Sequence, residues 1–107
     1  MPMINRFDIW LVQLDPTIGR EIKKTRFCVV ISPDEMAPLS TVLVAPMTTQ
    51  GFQFPIRVPC TFQGKTGLIL LDQIRAVDKT RLIAKKGELN QITQVALCQC
   101  LQEMFAY

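Results

Sequence analysis

Only one stretch of this sequence repeats its apolar residues at helical spacing over several turns: Gln91-Ile92-Thr93-Gln94-Val95-Ala96-Leu97-Cys98-Gln99-Cys100-Leu101-Gln102-Glu103-Met104-Phe105. Everything before it is cut by proline, glycine and polar turns into apolar runs of strand length. The chain must therefore build its core from short strands and close one side with a single helix. Asn90 stands where an N-cap is needed. Ile92, Val95, Leu97, Leu101, Met104 and Phe105 give the helix a broad apolar face opposite Gln91, Gln94, Gln102 and Glu103. Part of that face is expected to be open to a second copy of the chain.

The strands follow from β-branched and aromatic runs between breakers. Phe7 to Leu14 reads as the first, stopped by Asp15-Pro16-Thr17-Ile18-Gly19. Arg20-Glu21-Ile22-Lys23-Lys24-Thr25 is a charged loop, read from its residues as a solvated connection, with a flap over a ligand as the alternative. Arg26 to Ser32 is the second strand, with its only charge, Arg26, at a rim. Ser32 to Leu39 is an irregular connection or one short helical turn. Thr41-Val42-Leu43-Val44-Ala45-Pro46 is the third strand, apolar enough to be buried on both faces, with Pro46 at its end or at an edge. Met47-Thr48-Thr49-Gln50-Gly51 then forms a hydroxyl-rich turn, and Phe54 to Pro59 a short strand. Leu68-Ile69-Leu70-Leu71 is a buried strand that runs into Asp72, Gln73, Arg75, Asp78, Lys79 and Arg81. Leu82 to Gly87 returns as a last one.

With 107 residues the chain forms one domain, a barrel over about 6–87 followed by the helix over about 90–105. The expected architecture is mostly β: a small antiparallel, partly closed barrel packed against a C-terminal helix. Twelve Lys and Arg against nine Asp and Glu give a net charge of +3, which permits an anionic ligand without demanding one. No apolar run reaches the ~20 residues of a membrane span, and no secretory leader is evident, so a cytoplasmic protein is expected. Cys28, Cys60, Cys98 and Cys100 form no Cys-x-x-Cys pair, and there is no histidine to complete a zinc set. All four are expected to be reduced and structural, and no metal or cofactor is expected.

The missing histidines also exclude Ser-His-Asp, Cys-His and paired-imidazole catalysis. Gly64-Lys65-Thr66 has the tail of a phosphate-binding P-loop, but Pro59 stands where the motif needs its first glycine, which removes nucleotide binding.

Four segments together resemble the MazF/PemK family of toxin endoribonucleases of toxin–antitoxin pairs: Asp8 to Glu21, Thr25 to Ser32, Val44 to Gln50, and Leu68 to Leu82. The likeness covers nearly the whole chain in order, and Asp72-Gln73-Ile74-Arg75 to Arg81-Leu82 is its most specific part. It implies an SH3-like barrel shared with the gyrase-poisoning toxins, a homodimer, and metal-independent cleavage of single-stranded mRNA at short sequences. It further implies neutralisation by a cognate antitoxin, with DNA met only indirectly through that antitoxin. Arg26 and Thr48 match the family's catalytic arginine and threonine, and Glu21 matches an acidic position in the flap. Gln73 and Arg75 match groove positions. Arg20, Lys24, Thr49, Gln50 and Asp78 complete the RNA-binding set expected here. Two departures stand out. The family usually has Arg-Gly-Asp where this chain has Arg6-Phe7-Asp8, and Arg-Pro where it has Arg26-Phe27.

These residue types suit cleavage by the RNA's own 2′-hydroxyl. A guanidinium can grip two phosphoryl oxygens, but with a pKa above ~12 it is a poor base. The Thr48 hydroxyl can donate to a phosphoryl oxygen. The proton acceptor is open between Glu21, Asp78 and water, and Asp78 serves equally well as an ion-pair partner of Lys79 or Arg81. Two other functions fit the same architecture: a non-enzymatic poison of DNA gyrase, and a module that binds RNA or an antitoxin without catalysis. The gyrase poisons resemble one another in a tryptophan on the last helix. This chain ends Met104-Phe105-Ala106-Tyr107 and has its only tryptophan at Trp10.

Overall fold

In the computed structural model, which describes residues 3–21 and 24–107, seven strands form one curled antiparallel sheet, a half-barrel with a single helix at its end. They are β1 (Asp8–Gln13), β2 (Thr25–Val30), β3 (Thr41–Thr48), β4 (Arg57–Phe62), β5 (Lys65–Leu70), β6 (Arg75–Asp78) and β7 (Leu82–Glu88), followed by α1 (Gln91–Met104). The strand order is β4-β5-β3-β2-β1-β7, with β6 added against β3. Of the charged loop, Ile22 and Lys23 lie outside the described residues.

The unbroken apolar runs of β1, β2 and β3 are explained by burial on both faces. Ile9, Val29 and Ala45 point to one core with Val58, Ile69, Leu71, Leu89 and Leu97. Trp10, Val12, Cys28, Val30 and Val44 point to a second with Leu14, Val42, Val77 and Leu82. The pairing Ile9↔Val29 and Trp10↔Cys28 sends alternate rungs of the ladder to opposite cores. Asp8 is buried at 1% exposure and is compensated on three sides. It accepts from Asn5 N–H at 2.9 Å and Trp10 Nε1 at 3.5 Å, and pairs with Lys85 Nζ at 3.3 Å.

Three boundaries differ from expectation. β3 does not end at Pro46 but continues to Thr48, so Met47 and Thr48 belong to a strand and not to a turn. Cys28↔Pro46 is the last rung to β2 and Met47↔Ile69 the first to β5. The proline's missing donor thus falls where the strand changes neighbours. β4 spans Arg57–Phe62 instead of Phe54–Pro59. It is an end strand, where Pro59 is tolerated. The Gln63–Gly67 turn contracts to Gln63-Gly64, both at positive φ (52° and 76°), the conformation of a two-residue type I′ hairpin.

On α1 the Asn90 cap holds, its Oδ1 accepting from Thr93 N–H at 2.8 Å. Leu97 is buried, and Leu101 and Met104 pack beside it. The rest of the expected apolar face is not covered in this chain: Ile92 is 83% exposed, and Val95 and Phe105 are exposed as well. Helical spacing reports one apolar stripe but not how much of it the chain's own sheet can reach.

Candidate nucleic-acid interface

Three elements converge on an open cavity of about 340 Å³. Its floor is apolar, from Leu11, Phe27, Met47, Cys60 and Phe62, with Phe27 and Phe62 in edge-to-face contact at 5.3 Å. Its rim is polar: Thr25 and Arg26 from β2, Thr48, Thr49 and Gln50 from the end of β3, and Gln63 and Lys65 from the β4–β5 hairpin. Among the described lining residues two are cationic and none is acidic. Arg26 and Lys65 have no hydrogen-bond or ion-pair partner among the described residues. By contrast Arg57 is paired with Asp72, Lys85 with Asp8, and Arg75 and Arg81 donate to backbone carbonyls. Two unneutralised cations over an apolar floor suit an anionic ligand that also carries an apolar surface.

The hydroxyl of Thr48 is set by its own turn. Its Oγ1 accepts from Gln50 N–H at 3.0 Å, which leaves the hydroxyl proton to be given elsewhere. Gly67 makes the close approach of β5 to this point possible: a Cβ there would lie 2.5 Å from the Thr48 carbonyl oxygen.

The other expected site residues are distributed differently. A hollow of about 190 Å³ is lined by Leu14, Glu21, Pro46, Asp72, Gln73, Ile74 and Arg75. Pro46 borders the hollow and Thr48 the cavity, two residues apart on β3, so one strand contributes to both depressions. Glu21 closes its loop, its Oε1 accepting from Ile18 N–H at 2.6 Å. Arg75 donates from Nη1 to the Leu14 carbonyl at 3.1 Å, and Arg81 to the carbonyls of Gln13 and Asp15, so both brace the base of that loop. Arg20 and Lys24 are exposed on it.

Asp78 lines neither depression. Its carboxylate caps the turn Lys79–Arg81, accepting from Thr80 N–H at 2.9 Å and Thr80 Oγ1 at 2.8 Å, and these bonds hold its pKa below the usual carboxylate value. The ion pair with Lys79 or Arg81 is replaced by this local cap, with Arg81 contributing only at longer range. Lys65 and Gln63 were not anticipated in the site. The type I′ turn that brings them there was signalled by Gly64, but only with the strand bounds known does Lys65 fall on the rim.

The thiols follow the burial of their surroundings. Burial pushes Cys28 up to about 12, with the Arg75 charge opposing it, and raises Cys60 in the cavity floor. All four cysteines are free.

The family of PemK-like, MazF-like toxins of type II toxin–antitoxin systems matches residues 5–105. The chain belongs to this family. It is 30% identical over 106 residues to the endoribonuclease MazF of Staphylococcus epidermidis, covering 92% of this chain and 88% of that one. It is 31% identical over 81 residues to the endoribonuclease PemK of Escherichia coli, 70% of this chain and 61% of the other. Among solved structures, MazF of Deinococcus radiodurans superposes over the full length of both chains with a TM-score of 0.85 at 18% identity. A mycobacterial endoribonuclease in complex with its cognate antitoxin superposes with a TM-score of 0.78 at 18% identity, over 94% of this chain and 92% of that one. At these identities the two structures establish the MazF fold.

Against the family pattern, the substitution at Phe7 keeps the glycine-like backbone. Phe7 sits at φ 74°, a conformation that costs a non-glycine residue roughly 1–2 kcal/mol. It is held there by its N–H to Val30 carbonyl at 2.8 Å, by Leu89 N–H on its own carbonyl at 3.0 Å, and by the Arg6 guanidinium 5.3 Å from its ring. Phe27, at the proline position, supplies part of the cavity floor.

Proposed function

We propose that this MazF-like toxin is a sequence-specific endoribonuclease that cuts single-stranded mRNA without a metal ion, by attack of the 2′-hydroxyl on the adjacent phosphate. The observation that carries this reading is the cavity rim, where Arg26, Lys65 and the free proton of Thr48 face one open space with an apolar floor. Arg26 would bind two phosphoryl oxygens and stabilise the charge that builds on them. Thr48 would donate to one of the same oxygens. Lys65 adds a second positive charge at the developing pentacoordinate phosphorus. The proton acceptor is assigned to Glu21, acting directly or through one water: Ile18 holds one carboxylate oxygen and leaves the other for the 2′-hydroxyl proton. None of the described residues that line the cavity is a carboxylate; Glu21 lines the neighbouring hollow, and Asp72 there is already paired with Arg57.

The neighbouring hollow, with Gln73 and Arg75, would continue the RNA path. Thr49 and Gln50 hold it at the rim, and Arg20 and Lys24 contact phosphates from the loop. Asp78, spent on Thr80, is not part of this set. The toxin would act in the cytoplasm as a homodimer, with a cognate antitoxin neutralising it by placing an acidic segment over the same cations.

The test is cleavage of a long mixed-sequence RNA by the purified protein in EDTA. The expected products end in 2′,3′-cyclic phosphates. Arg26→Ala is expected to lower the rate at least 10²-fold with an unchanged circular dichroism spectrum and melting temperature. RNA left intact by excess wild-type protein would refute the proposal, and inhibition of DNA gyrase supercoiling under the same conditions would favour the gyrase-poison reading.

A further inference from the structure

We infer that Phe52, on the loop between β3 and β4, is a stacking platform for one unpaired base of the RNA, placed immediately beside the phosphate-binding cavity. The inference rests on the proposed ribonuclease function for the nature of its ligand. Its geometry is independent of that function.

Phe52 is 66% exposed and its neighbour Phe54 is 48% exposed. An exposed phenyl on a loop is ordinarily mobile and uninformative. This one is built into a fixed frame. The Arg57 guanidinium lies against the ring at 4.9 Å from its centroid, and Arg57 Nη1 donates to the Phe52 carbonyl at 3.2 Å. Arg57 is itself held by a two-pronged pair with Asp72, Nε to Oδ1 at 3.2 Å and Nη2 to Oδ2 at 3.1 Å. The Gln53 amide donates to the carbonyls of Phe54 and Arg57, and Arg57 N–H donates to the Phe54 carbonyl at 2.9 Å. Phe54 meets Phe52 edge-on, with centroids 6.2 Å apart. The loop therefore spends six hydrogen bonds and an aromatic contact on orienting a ring that buries little of itself.

Position gives the ring its ligand. Gln50 lines the cavity and Phe52 follows two residues later, so their Cα atoms are at most about 7 Å apart. Asp72, which anchors Arg57, lines the hollow. The platform thus follows the cavity rim by two residues, and the cavity's cations are available to take the backbone of a single strand. A ring backed by guanidinium and 66% exposed matches the requirement for stacking a base, an interaction that tolerates any base because each has a π-face. A second copy of the chain is the competing occupant. It would need a contiguous apolar patch, whereas this ring is framed by Arg57, Gln53 and Asp72.

The experiment measures binding of two single-stranded probes to the full-length protein by fluorescence anisotropy. One is a mixed-sequence 2′-O-methyl oligonucleotide, which cannot be cut because it lacks the attacking hydroxyl. The other has the same backbone without bases. Phe52→Ala is expected to weaken binding of the base-bearing probe by about tenfold and to leave the abasic probe within twofold, while Phe52→Trp retains full binding. Equal binding of both probes by wild type and Phe52→Ala would overturn the inference. So would an equal loss on both, or a loss of self-association in sedimentation in place of a loss of base-dependent binding. Cleavage by wild type alongside an inert Phe52→Ala change defeats only the platform. Base-dependent binding at Phe52 in a protein that cuts no RNA defeats only the ribonuclease.

Discussion

Gly67→Ala tests whether Thr48 is positioned by the backbone behind it. The added Cβ would meet the Thr48 carbonyl oxygen at 2.5 Å, the Thr48 carbonyl carbon at 3.2 Å and Thr49 Cα at 3.6 Å. All three are main-chain atoms of the adjoining strand and cannot swing aside. Restoring an ordinary 3.4 Å contact requires β5 and β3 to part by about 0.9 Å beside the rung Thr48↔Leu68. Overpacking of this kind costs about 1–3 kcal/mol, which for a domain of this size lowers the melting temperature by about 5–20 °C. Moving a reacting group by about 1 Å can cost 10²-fold in rate. The variant is therefore expected to cut RNA at least tenfold more slowly at a temperature where it remains folded. Gly64→Ala is the control: its Cβ meets nothing within 4 Å, and its φ of 76° costs about 1–2 kcal/mol without moving Thr48. Cleavage is assayed at 15 °C after far-ultraviolet circular dichroism confirms the fold. Wild-type melting and wild-type cleavage in Gly67→Ala would refute the claim that the close approach of β5 fixes Thr48. Equal losses of activity in both variants would show that stability, not position, sets the rate.

Two further outcomes follow from the titrating groups. The Asp78 pKa is held down by its bonds to Thr80, so its charge contributes stability that is present above the unfolded value of 3.8 and is lost as pH falls through the folded value. Asp78→Asn should melt below wild type at pH 7 and converge with it in melts at pH 3; an equal gap at both would contradict the cap. Cys28, with its thiol pushed up to about 12 and its side chain buried, and Cys60, also buried, should resist a disulfide-exchange reagent at pH 8 until the protein unfolds. The partly exposed Cys98 and Cys100 should react first, and four equally fast thiols by mass spectrometry would contradict the two-core arrangement.

The strands were legible wherever the sequence set an apolar run against a breaker, and the helix wherever a cap preceded a 3.6-residue period. Legibility failed at Pro46, because this proline is tolerated inside β3 at the point where the strand changes neighbours, and pairing is a long-range property. At the helix the expectation that part of the apolar face stays open agrees with the exposed Ile92 and Val95, but the spacing alone does not say which residues they would be. Within the site, Arg26 and Thr48 are singled out by the resemblance to the toxin family; the residues alone place Arg26 at the entry of an apolar strand and Thr48 after another. Lys65 is not, since its place on the rim depends on a two-residue hairpin that folds it across the sheet. Asp78, a carboxylate among cations, suggests an ion pair. A hydroxyl two residues on is enough to occupy it.

The double burial of Cys28-Val29-Val30 has a consequence for how the molecule opens. Side chains from this strand plug both cores, so its amides can exchange with solvent only when the two cores come apart together, and they should be among the last protons lost. Arg26 sits on the free end of this slow-exchanging strand. The cation on the cavity rim is thus mounted on the least yielding part of the domain, and a change in the surrounding loops leaves its base in place.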